Sequence, residues 1–366
     1  MRLKVTKKQD GRLLSLLAQL CELYNMALQQ RRDAYRELRV SVGYLEQQTQ
    51  LTELRGGVEE YAAFPAAIQR DPLRRLDRAY QAFFRRLKSG ERPGFPRFRA
   101  RARYDSFSVP KDSFSFSEGT LKIVKLSAFR TKTKCKINGE PLEVRVKRCG
   151  RKWQAQMVCD IGPAPEKATV RNAIGIDLGL TSLATLSNGT EIPNPRWTRQ
   201  EEDRLAFANQ ELSRKQRGSR NRLKARERLR RVHQRIAGLR SSFLTAIAKR
   251  LVSSYDLIVH EDLKIRNMVR SRLAKSIMDA AWGQLIHRLN CEAEYAGKWV
   301  IPVNPRGTTQ TCSGCGERVF KKLKDRWHSC PHCGTCLSRD ENAALNILRL
   351  GESLASKQNC VLATAR

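Results

Sequence analysis

The sequence predicts a multidomain protein with an α/β domain in its C-terminal half, preceded by a small all-β domain and a helical region. Three patterns predict this class. Apolar residues recur at helical spacing in the first third, short apolar runs alternate with turn residues over 106–161, and strand and helix patterns alternate after residue 172. With 366 residues, the chain is long enough for two or three hydrophobic cores.

The helical first third follows one short predicted strand, residues 2–6. A second helix is predicted to begin with Asp71 as its cap and Pro72 in its first turn, and to end before Gly90. The apolar faces of the two helices comprise Leu13, Leu16, Leu17, Leu20 and Tyr24 in the first, and Leu73, Leu76, Tyr80, Phe83, Phe84 and Leu87 in the second. Such stripes indicate a core rather than a binding surface.

A basic and aromatic segment follows over residues 90–110. Its Pro and Gly residues prevent a continuing helix, and four arginines alternate with other residues at Arg97, Arg99, Arg101 and Arg103. In an extended chain this alternation puts the arginines on one side, beside Tyr104 and several phenylalanines. Such a row suits contact with a nucleic-acid backbone, although a solvated edge strand would carry the same pattern.

Two hairpins predict the β-domain. Residues 114–116 and 121–126 flank a turn at Glu118 and Gly119, and residues 142–147 and 153–160 flank another at Cys149 and Gly150. We therefore expect a small, barrel-like β-domain.

The C-terminal half is predicted to contain four strands, at 173–177, 183–186, 257–261 and 299–303. A long basic helical region lies between the second and the third, interrupted at 216–222 with Gly218 and Ser219 as a hinge. The basic residues around the hinge that are candidates for nucleic-acid contact are Lys215, Arg217, Arg220 and Arg222. A charge run is usually a solvated face, but the charge of the whole chain makes phosphate contact an equal alternative.

The chain carries 70 Lys and Arg residues against 36 Asp and Glu residues, a formal net charge of +34. Self-repulsion on this scale destabilises a compact chain unless a polyanion is bound, so nucleic acid is the expected partner. No apolar run reaches the roughly 18 residues of a membrane-spanning helix, and residues 1–10 lack the apolar core of a signal peptide. The expected location is the cytoplasm.

Three acidic residues each lie at the end of a predicted element. Asp177 ends the strand in AIGIDLGLTS, Glu261 ends the strand in YDLIVHEDL, and Asp340 begins the helix in RDENAALNIL. In this order they match a ribonuclease-H-like sheet whose carboxylates converge at one edge. Three carboxylates suit two Mg²⁺ ions about 3.5–4 Å apart, which can hydrolyse a phosphodiester, and we expect Asp177 to bridge them. Arg339 either contacts the scissile phosphate or forms a structural ion pair.

Two C-x-x-C pairs predict a metal site. Cys312 with Cys315 and Cys330 with Cys333 have the spacing of a tetrahedral, four-thiolate Zn²⁺ site. Such a site is closed to substrate, so its role would be structural. Cys336 offers an alternative second knuckle, Cys333 with Cys336, and His328 and His332 are other possible ligands. Each preferred pair, however, is followed by the glycine of a zinc knuckle, Gly316 or Gly334.

Together these motifs resemble the TnpB (OrfB) family of transposon-encoded RNA-guided DNA endonucleases, which is related to type V CRISPR effectors. The resemblance rests on IGIDLGLTSLATLSNG, YDLIVHEDL, NPRGTTQTCSGCGE, CPHCG and SRDENAALNIL, and on the basic stretches around residues 76–110 and 212–237. By motif, the family's catalytic acids fall on Asp177, Glu261 and Asp340, and its zinc ligands fall on the four cysteines. Ser338 stands where the family usually has Asp.

The resemblance implies a wedge-like β-barrel with a helical recognition insertion, and a RuvC-like nuclease domain that holds a zinc ribbon. The implied bounds are 1–8 for the first wedge strand, 9–92 for the helical insertion, 93–165 for the wedge barrel, 166–308 and 337–352 for the nuclease domain, 309–336 for the ribbon and 353–366 for a tail. The implied activity is Mg²⁺-dependent cleavage of double-stranded DNA beside a short target-adjacent motif. The guide would be an RNA from the transposon end, in a prokaryotic cytoplasm at the nucleoid, and the choice between monomer and dimer is open.

Two other function classes compete with this interpretation. Actin-like ATPases and sugar kinases share the IGIDLGLTS type of strand, but they need a second Gly-rich phosphate loop with another Asp, and the sequence contains none. A nuclease-inactive, RNA-guided DNA-binding protein, acting as a repressor or a transposition accessory, is the alternative. The presence of all three acids favours the nuclease.

Overall fold

A computed structural model describes residues 1–132, 137–322 and 325–357 of the chain. The chain forms two compact units, Met1–Gly162 and Pro163–Arg366. A search of the described residues finds no helix that is both long enough and apolar enough to cross a membrane.

Four helices belong to the first unit. They are α1 Lys7–Leu38, α2 Tyr44–Gly57, α3 Glu59–Ala62 and α4 Ala66–Lys88. A capping box begins α1, because the Thr6 hydroxyl accepts a hydrogen bond from the Gln9 N–H while the Gln9 side chain accepts one from the Thr6 N–H. The predicted apolar face of α1 is buried.

The start of α4 was predicted wrongly. Its N-cap is Pro65, so Asp71 and Pro72 lie inside the helix. The buried Asp71 carboxylate instead accepts a hydrogen bond from the Ser108 N–H at 3.1 Å and pairs with Arg75 at 2.8 Å, which ties α4 to the sheet of this unit. The far end of the predicted face is also not core: Phe84 and Leu87 are 52% and 55% exposed.

Seven strands form one antiparallel sheet in the first unit, in the order β2-β6-β7-β1-β5-β4-β3. The strands are β1 Arg2–Lys4, β2 Ser106–Pro110, β3 Phe114–Ser117, β4 Thr120–Ile123, β5 Ser127–Thr131, β6 Glu140–Cys149 and β7 Lys152–Asp160. Both predicted hairpins are present. The outermost strands β2 and β3 are joined only by the 3₁₀ turn Lys111–Ser113, so the sheet nearly closes. No ladder joins β2 to β3 among the described residues, so the predicted barrel-like β-domain is a near-barrel.

The second unit contains the α/β architecture. Its strands are β8 Ala173–Leu178, β9 Ser182–Leu186, β10 Glu191–Pro193, β11 Leu257–Glu261, β12 Trp299–Val303, β13 Trp327–Ser329 and β14 Cys336–Ser338. Its helices are α5 Trp197–Gln200, α6 Glu202–Ser213, α7 Arg220–Ser254, α8 Ile265–Met268, α9 Ala274–Ala280, α10 Trp282–Tyr295 and α11 Arg339–Lys357. Helix α11 therefore covers residues 353–357 of the predicted tail, and residues 358–366 lie outside the described part of the chain.

The main sheet of this unit has the order β10-β9-β8-β11-β12. Strands β8, β11 and β12 are parallel, and β9 and β10 are antiparallel to their neighbours. Alternate side chains point to opposite faces of a strand. Ile174, Ile176 and Ile258 pack with α7 and α10, whereas Leu257 and Val259 pack with α11 on the other face. Residues 175, 177 and 261 consequently lie on the face covered by α11.

Two glycines allow α11 to approach the sheet closely. A Cβ on Gly175 of β8 would overlap the backbone of Ala344 and lie 2.8 Å from the Leu348 nitrogen. A Cβ on Gly351 of α11 would overlap the side chain of Val259. The helix that carries Asp340 is thus seated directly on the strand that carries Asp177.

We expect Gly175→Ala to lower the free energy of unfolding by about 1–3 kcal/mol, because the added methyl group meets backbone that cannot yield without moving α11. Gly238→Ala in α7 is the matched control. Nothing lies within 4 Å of its added Cβ, and Ala is the better helix former by about 0.5–1 kcal/mol. Urea unfolding of both variants measures the difference, and equal stabilities would contradict the close helix–sheet contact.

Candidate active site and metal centre

Asp177 and Glu261 lie at the same level on neighbouring parallel strands. The register pairs His260 of β11 with Ile176 of β8, so the next residue on each strand is an acid at its carboxyl end. Both acids belong to the face covered by α11, and Glu261 is only 8% exposed. The strand-end signal in the sequence therefore identified two side chains that the fold brings together.

Asp340 reaches the same edge from α11. It is the second residue of a helix that packs across β8, β11 and β12. Ser338 caps the start of this helix, because its hydroxyl accepts a hydrogen bond from the Glu341 N–H at 3.1 Å. Ser and Asp are equally good N-caps, so the departure from the family pattern at residue 338 preserves the helix start.

The charges of Glu261 and Asp340 both act on Asp177, so the three carboxylates lie near one another at this edge of the sheet. The pKa of Asp177 is raised to about 7, mainly by burial and also by the charges of Glu261 and Asp340, whereas Arg339 and the hydrogen bond from the Leu178 N–H lower it. Burial also raises the pKa of Glu261, opposed by a hydrogen bond from Thr308. Carboxylates that repel one another in a partly buried site bind cations favourably, and oxygen ligands of this kind suit Mg²⁺.

Arg339 lies beside the third acid. Its Nε atom is 3.2 Å from Oδ1 of Asp340, and its Nη1 atom donates to the Asp325 carbonyl at 3.3 Å. It also lines a cavity of about 710 Å³ with four other cations, Arg306, Arg318, Lys321 and Lys322. None of the described residues that line this cavity is acidic, so a strongly basic surface begins next to Asp340. The sequence analysis did not identify this surface.

The four predicted zinc ligands come together. Among the described residues, Cys312, Cys315, Cys330 and Cys333 are the group of His, Cys, Asp or Glu side chains whose ligand atoms all lie within 4.8 Å of one another. The Sγ atoms of Cys312 and Cys333 are 3.6 Å apart, as are those of Cys315 and Cys330. Four thiolates at about 2.3 Å from one ion would be separated by roughly 3.8 Å, so the cluster could bind a metal ion such as zinc.

The three alternative ligands lie outside this group of four. Cys336 is exposed in β14 and lies outside the group, and His332 is exposed. His328 is fully buried in β13. A hydrogen bond from Thr335 lowers the pKa of Cys333, which favours the thiolate that a metal requires.

Three polar residues missed by the sequence analysis connect these sites. Thr308 donates to Glu261, while Asn342 and Asn346 of α11 form hydrogen bonds with the backbone of residues 308–313. The available signal was the pair of asparagines at spacing i, i+4 on the buried side of a helix. Their partners are more than 25 residues away in sequence, so the pattern could not reveal them.

The predicted nucleic-acid contacts around residue 100 differ in their exposure to solvent. Arg97, Arg99, Arg101 and Arg103 are exposed, but a 3₁₀ turn at Arg101–Arg103 breaks the single row that alternation predicted. Tyr104 is 7% exposed and belongs to the core of the first unit, so it is withdrawn as a contact residue.

The residues around the hinge also differ from one another. Arg222 donates to the carbonyl oxygens of Leu212 and Lys215, both at 2.8 Å, and so terminates α6. The ammonium group of Lys215 lies 3.9 Å from Glu211. Arg217 and Arg220 are exposed and stay candidates.

Comparison with known proteins identifies relatives over most of the chain. A family model described as "Probable transposase" (OrfB_IS605) matches residues 156–272, and one described as "Cas12f1-like, TNB domain" matches residues 282–347. A protein of Streptomyces pristinaespiralis named "Putative RNA-guided DNA endonuclease" is 34% identical over 342 residues, which are 90% of this chain and 83% of that protein. The Escherichia coli K12 protein "Putative RNA-guided DNA endonuclease InsQ" is 28% identical over 308 residues, 79% of this chain and 75% of its own.

A solved structure shares the fold. The protein in "Cryo-EM structure of the Cas12f1-sgRNA-target DNA complex" superposes with a TM-score of 0.61 over 93% of this chain and 83% of that chain, at 14% sequence identity. The likeness at this low identity concerns the architecture alone.

Proposed function

Because this chain belongs to the TnpB (OrfB) family, we propose that it is an RNA-guided endonuclease that cleaves double-stranded DNA beside a short target-adjacent motif. The guide would be an RNA from the transposon end. One observation carries the nuclease part of the proposal: Asp177 and Glu261 lie side by side on the sheet face covered by the helix whose second residue is Asp340. The order of the five-stranded sheet, with two antiparallel and three parallel strands, supports a RuvC-like domain.

The three acids would hold two Mg²⁺ ions. Bound Mg²⁺ supplies a more acidic water and neutralises charge on the scissile phosphate. Asp177, whose pKa is raised to about 7 by burial and by the charges of the other two acids, would gain most from a nearby cation and would hold the metal ions together with Glu261 and Asp340. Arg339 would place its guanidinium group against a phosphate next to Asp340.

The basic surfaces would bind the nucleic acids. A net charge of +34 requires a polyanionic partner, and the cavity of Arg306, Arg318, Lys321, Lys322 and Arg339 puts five cations beside the proposed cleavage site. The exposed arginines at positions 97, 99, 101, 103, 217 and 220 are further candidates. The four cysteines would hold one structural Zn²⁺.

Guided plasmid cleavage tests the proposal. Protein purified with its co-expressed transposon-end RNA is incubated with Mg²⁺ and a plasmid in which a randomised sequence flanks the guide-matched target. We expect cuts only in guide-matched plasmids, next to one enriched flanking motif, and no cuts with EDTA or with an unrelated guide. Tight guide-dependent binding without any cut would instead support the repressor alternative.

A further inference from the structure

We infer that Thr308 is a positioning residue for Glu261, and that the loop of residues 308–313 makes the placement of this acid depend on α11 and on the cysteine cluster. The inference rests on the proposed function, because it gives Glu261 a role in metal binding. It concerns residues outside the three acids and the four cysteines.

The contact between Thr308 and Glu261 is short and buried. The Thr308 hydroxyl donates to Oε1 of Glu261 at 2.6 Å, and the two residues are 2% and 8% exposed. The hydroxyl oxygen also lies 3.1 Å from the Pro305 carbonyl, but it has one proton, and the charged, nearer carboxylate is the better acceptor. A Glu side chain has three rotatable bonds, so fixing one oxygen selects one orientation of its carboxylate.

Helix α11 fixes the backbone of Thr308. The Asn346 side chain donates to the carbonyl oxygens of Thr308 at 2.9 Å and Thr311 at 2.7 Å. The Asn342 side chain donates to Thr311 at 2.8 Å and accepts from the Ser313 N–H at 2.9 Å. Both asparagines are buried, since Asn342 is 0% and Asn346 is 6% exposed. An unpaired amide would be costly at such a position. These four hydrogen bonds fix the backbone of residues 308–313 against α11.

The loop thereby joins three parts of the proposed machinery. It begins at the residue that holds Glu261 and runs along the helix that begins beside Asp340. It ends one residue past Cys312, the first ligand of the metal centre. Two of the three acids are therefore positioned relative to each other through hydrogen bonds rather than through sheet pairing alone.

The test compares Thr308→Val, which removes the hydroxyl and keeps the branched shape, with Thr308→Ser, which keeps the hydroxyl. Two quantities are measured on the guide-loaded protein: the Mg²⁺ concentration for half-maximal plasmid cleavage, and Mn²⁺ binding without DNA by electron paramagnetic resonance. For Thr308→Val we expect the half-maximal Mg²⁺ concentration to rise and the affinity for Mn²⁺ to fall, each by about 10- to 100-fold. This is the usual effect of losing a hydrogen bond to a charged group. Thr308→Ser should stay within about threefold of the natural chain. The control Thr190→Val changes an exposed threonine on the β9–β10 turn and should change neither quantity.

Three results would overturn the inference. One is an unchanged metal requirement in Thr308→Val, and another is an equal defect in Thr308→Ser. The third is a further loss of Mn²⁺ affinity when Thr308→Val is added to Glu261→Gln, because the hydroxyl should act only through Glu261. Thr308→Ala replaces the valine variant if that variant fails to fold. If Glu261→Gln itself cleaves normally, the proposed function fails, whereas loss of cleavage in Glu261→Gln with normal behaviour of Thr308→Val rejects only the role of Thr308.

Discussion

The Asp177→Asn variant is expected to lose guided DNA cleavage and, without divalent metal, to be more stable than the natural chain at pH 8. Asn keeps the size of the side chain and removes its charge. Removing a carboxylate that would hold the metal ions at the scissile phosphate should slow cleavage by about 100- to 1,000-fold. The variant gains stability because it loses the Asp177 charge. Without a cation, this buried charge is repelled by the carboxylates of Glu261 and Asp340.

The sign of the stability change follows from the raised pKa. Asp177 has a pKa of about 7 in the folded protein, against 3.8 as its ordinary value, so the folded state binds the proton more tightly. The metal-free protein therefore loses stability as the pH rises from about 4 to 7, and the loss is complete above pH 7. A pKa that is raised by about three units lowers the free energy of unfolding above pH 7 by at most about 4 kcal/mol. Since the site is partly open to water, we expect Asp177→Asn to gain about 1–3 kcal/mol at pH 8 and almost nothing near pH 4.

Thermal unfolding in EDTA at several pH values measures this gain, and added Mg²⁺ should stabilise the natural chain more than the variant. Asp262→Asn is the matched control. It removes a carboxylate one residue from Glu261, but its side chain is 59% exposed and pairs on the surface with Lys264 at 3.4 Å. This control should leave cleavage and stability unchanged. A variant Asp177→Asn that is less stable than the natural chain at pH 8 would contradict the shared acidic site.

The sequence predicted those parts of the site that depend on residues close to one another in the chain. Strands β11 and β12 have the predicted bounds because an apolar run in each is followed directly by polar residues. The C-x-x-C pairs were assigned correctly as a cluster because each pair is a local turn. The acids at the ends of β8 and β11 could be expected together because parallel strands end at one edge.

Long-range contacts produced the errors. Asp71 and Pro72 have the chemistry of a helix start, but burial of Asp71 against Ser108 and Arg75 placed them inside α4. The ring of Tyr104 looked available for stacking and is instead in the core. Thr308 could not be recognised from its neighbours, because its partner Glu261 is 47 residues away.

Replacing Cys312 with Ser is expected to abolish metal binding by the cysteine cluster and to disable cleavage, although all three acids are retained. Apart from the hydrogen bonds of Asn342 and Asn346, the segment around the cluster is held mainly by a small sheet, the three-residue strands β13 and β14. In small zinc domains the bound ion contributes on the order of 10 kcal/mol to folding. Without it, the loop of residues 308–313 loses its anchor at Cys312.

Zinc content and cleavage rate are the two measurements. The natural chain should contain one Zn²⁺, Cys312→Ser should contain almost none, and cleavage should fall by about 100-fold, the upper range for groups that support a metal site indirectly. Cys336→Ser is the matched control, because this exposed cysteine lies in the same segment outside the cluster and should keep both properties. Loss of zinc from Cys336→Ser but not from Cys330→Ser would move the second knuckle to Cys333 and Cys336. Normal cleavage by a zinc-free Cys312→Ser protein would show that the loop holds Glu261 without the metal centre, and α11 would then be its sufficient support.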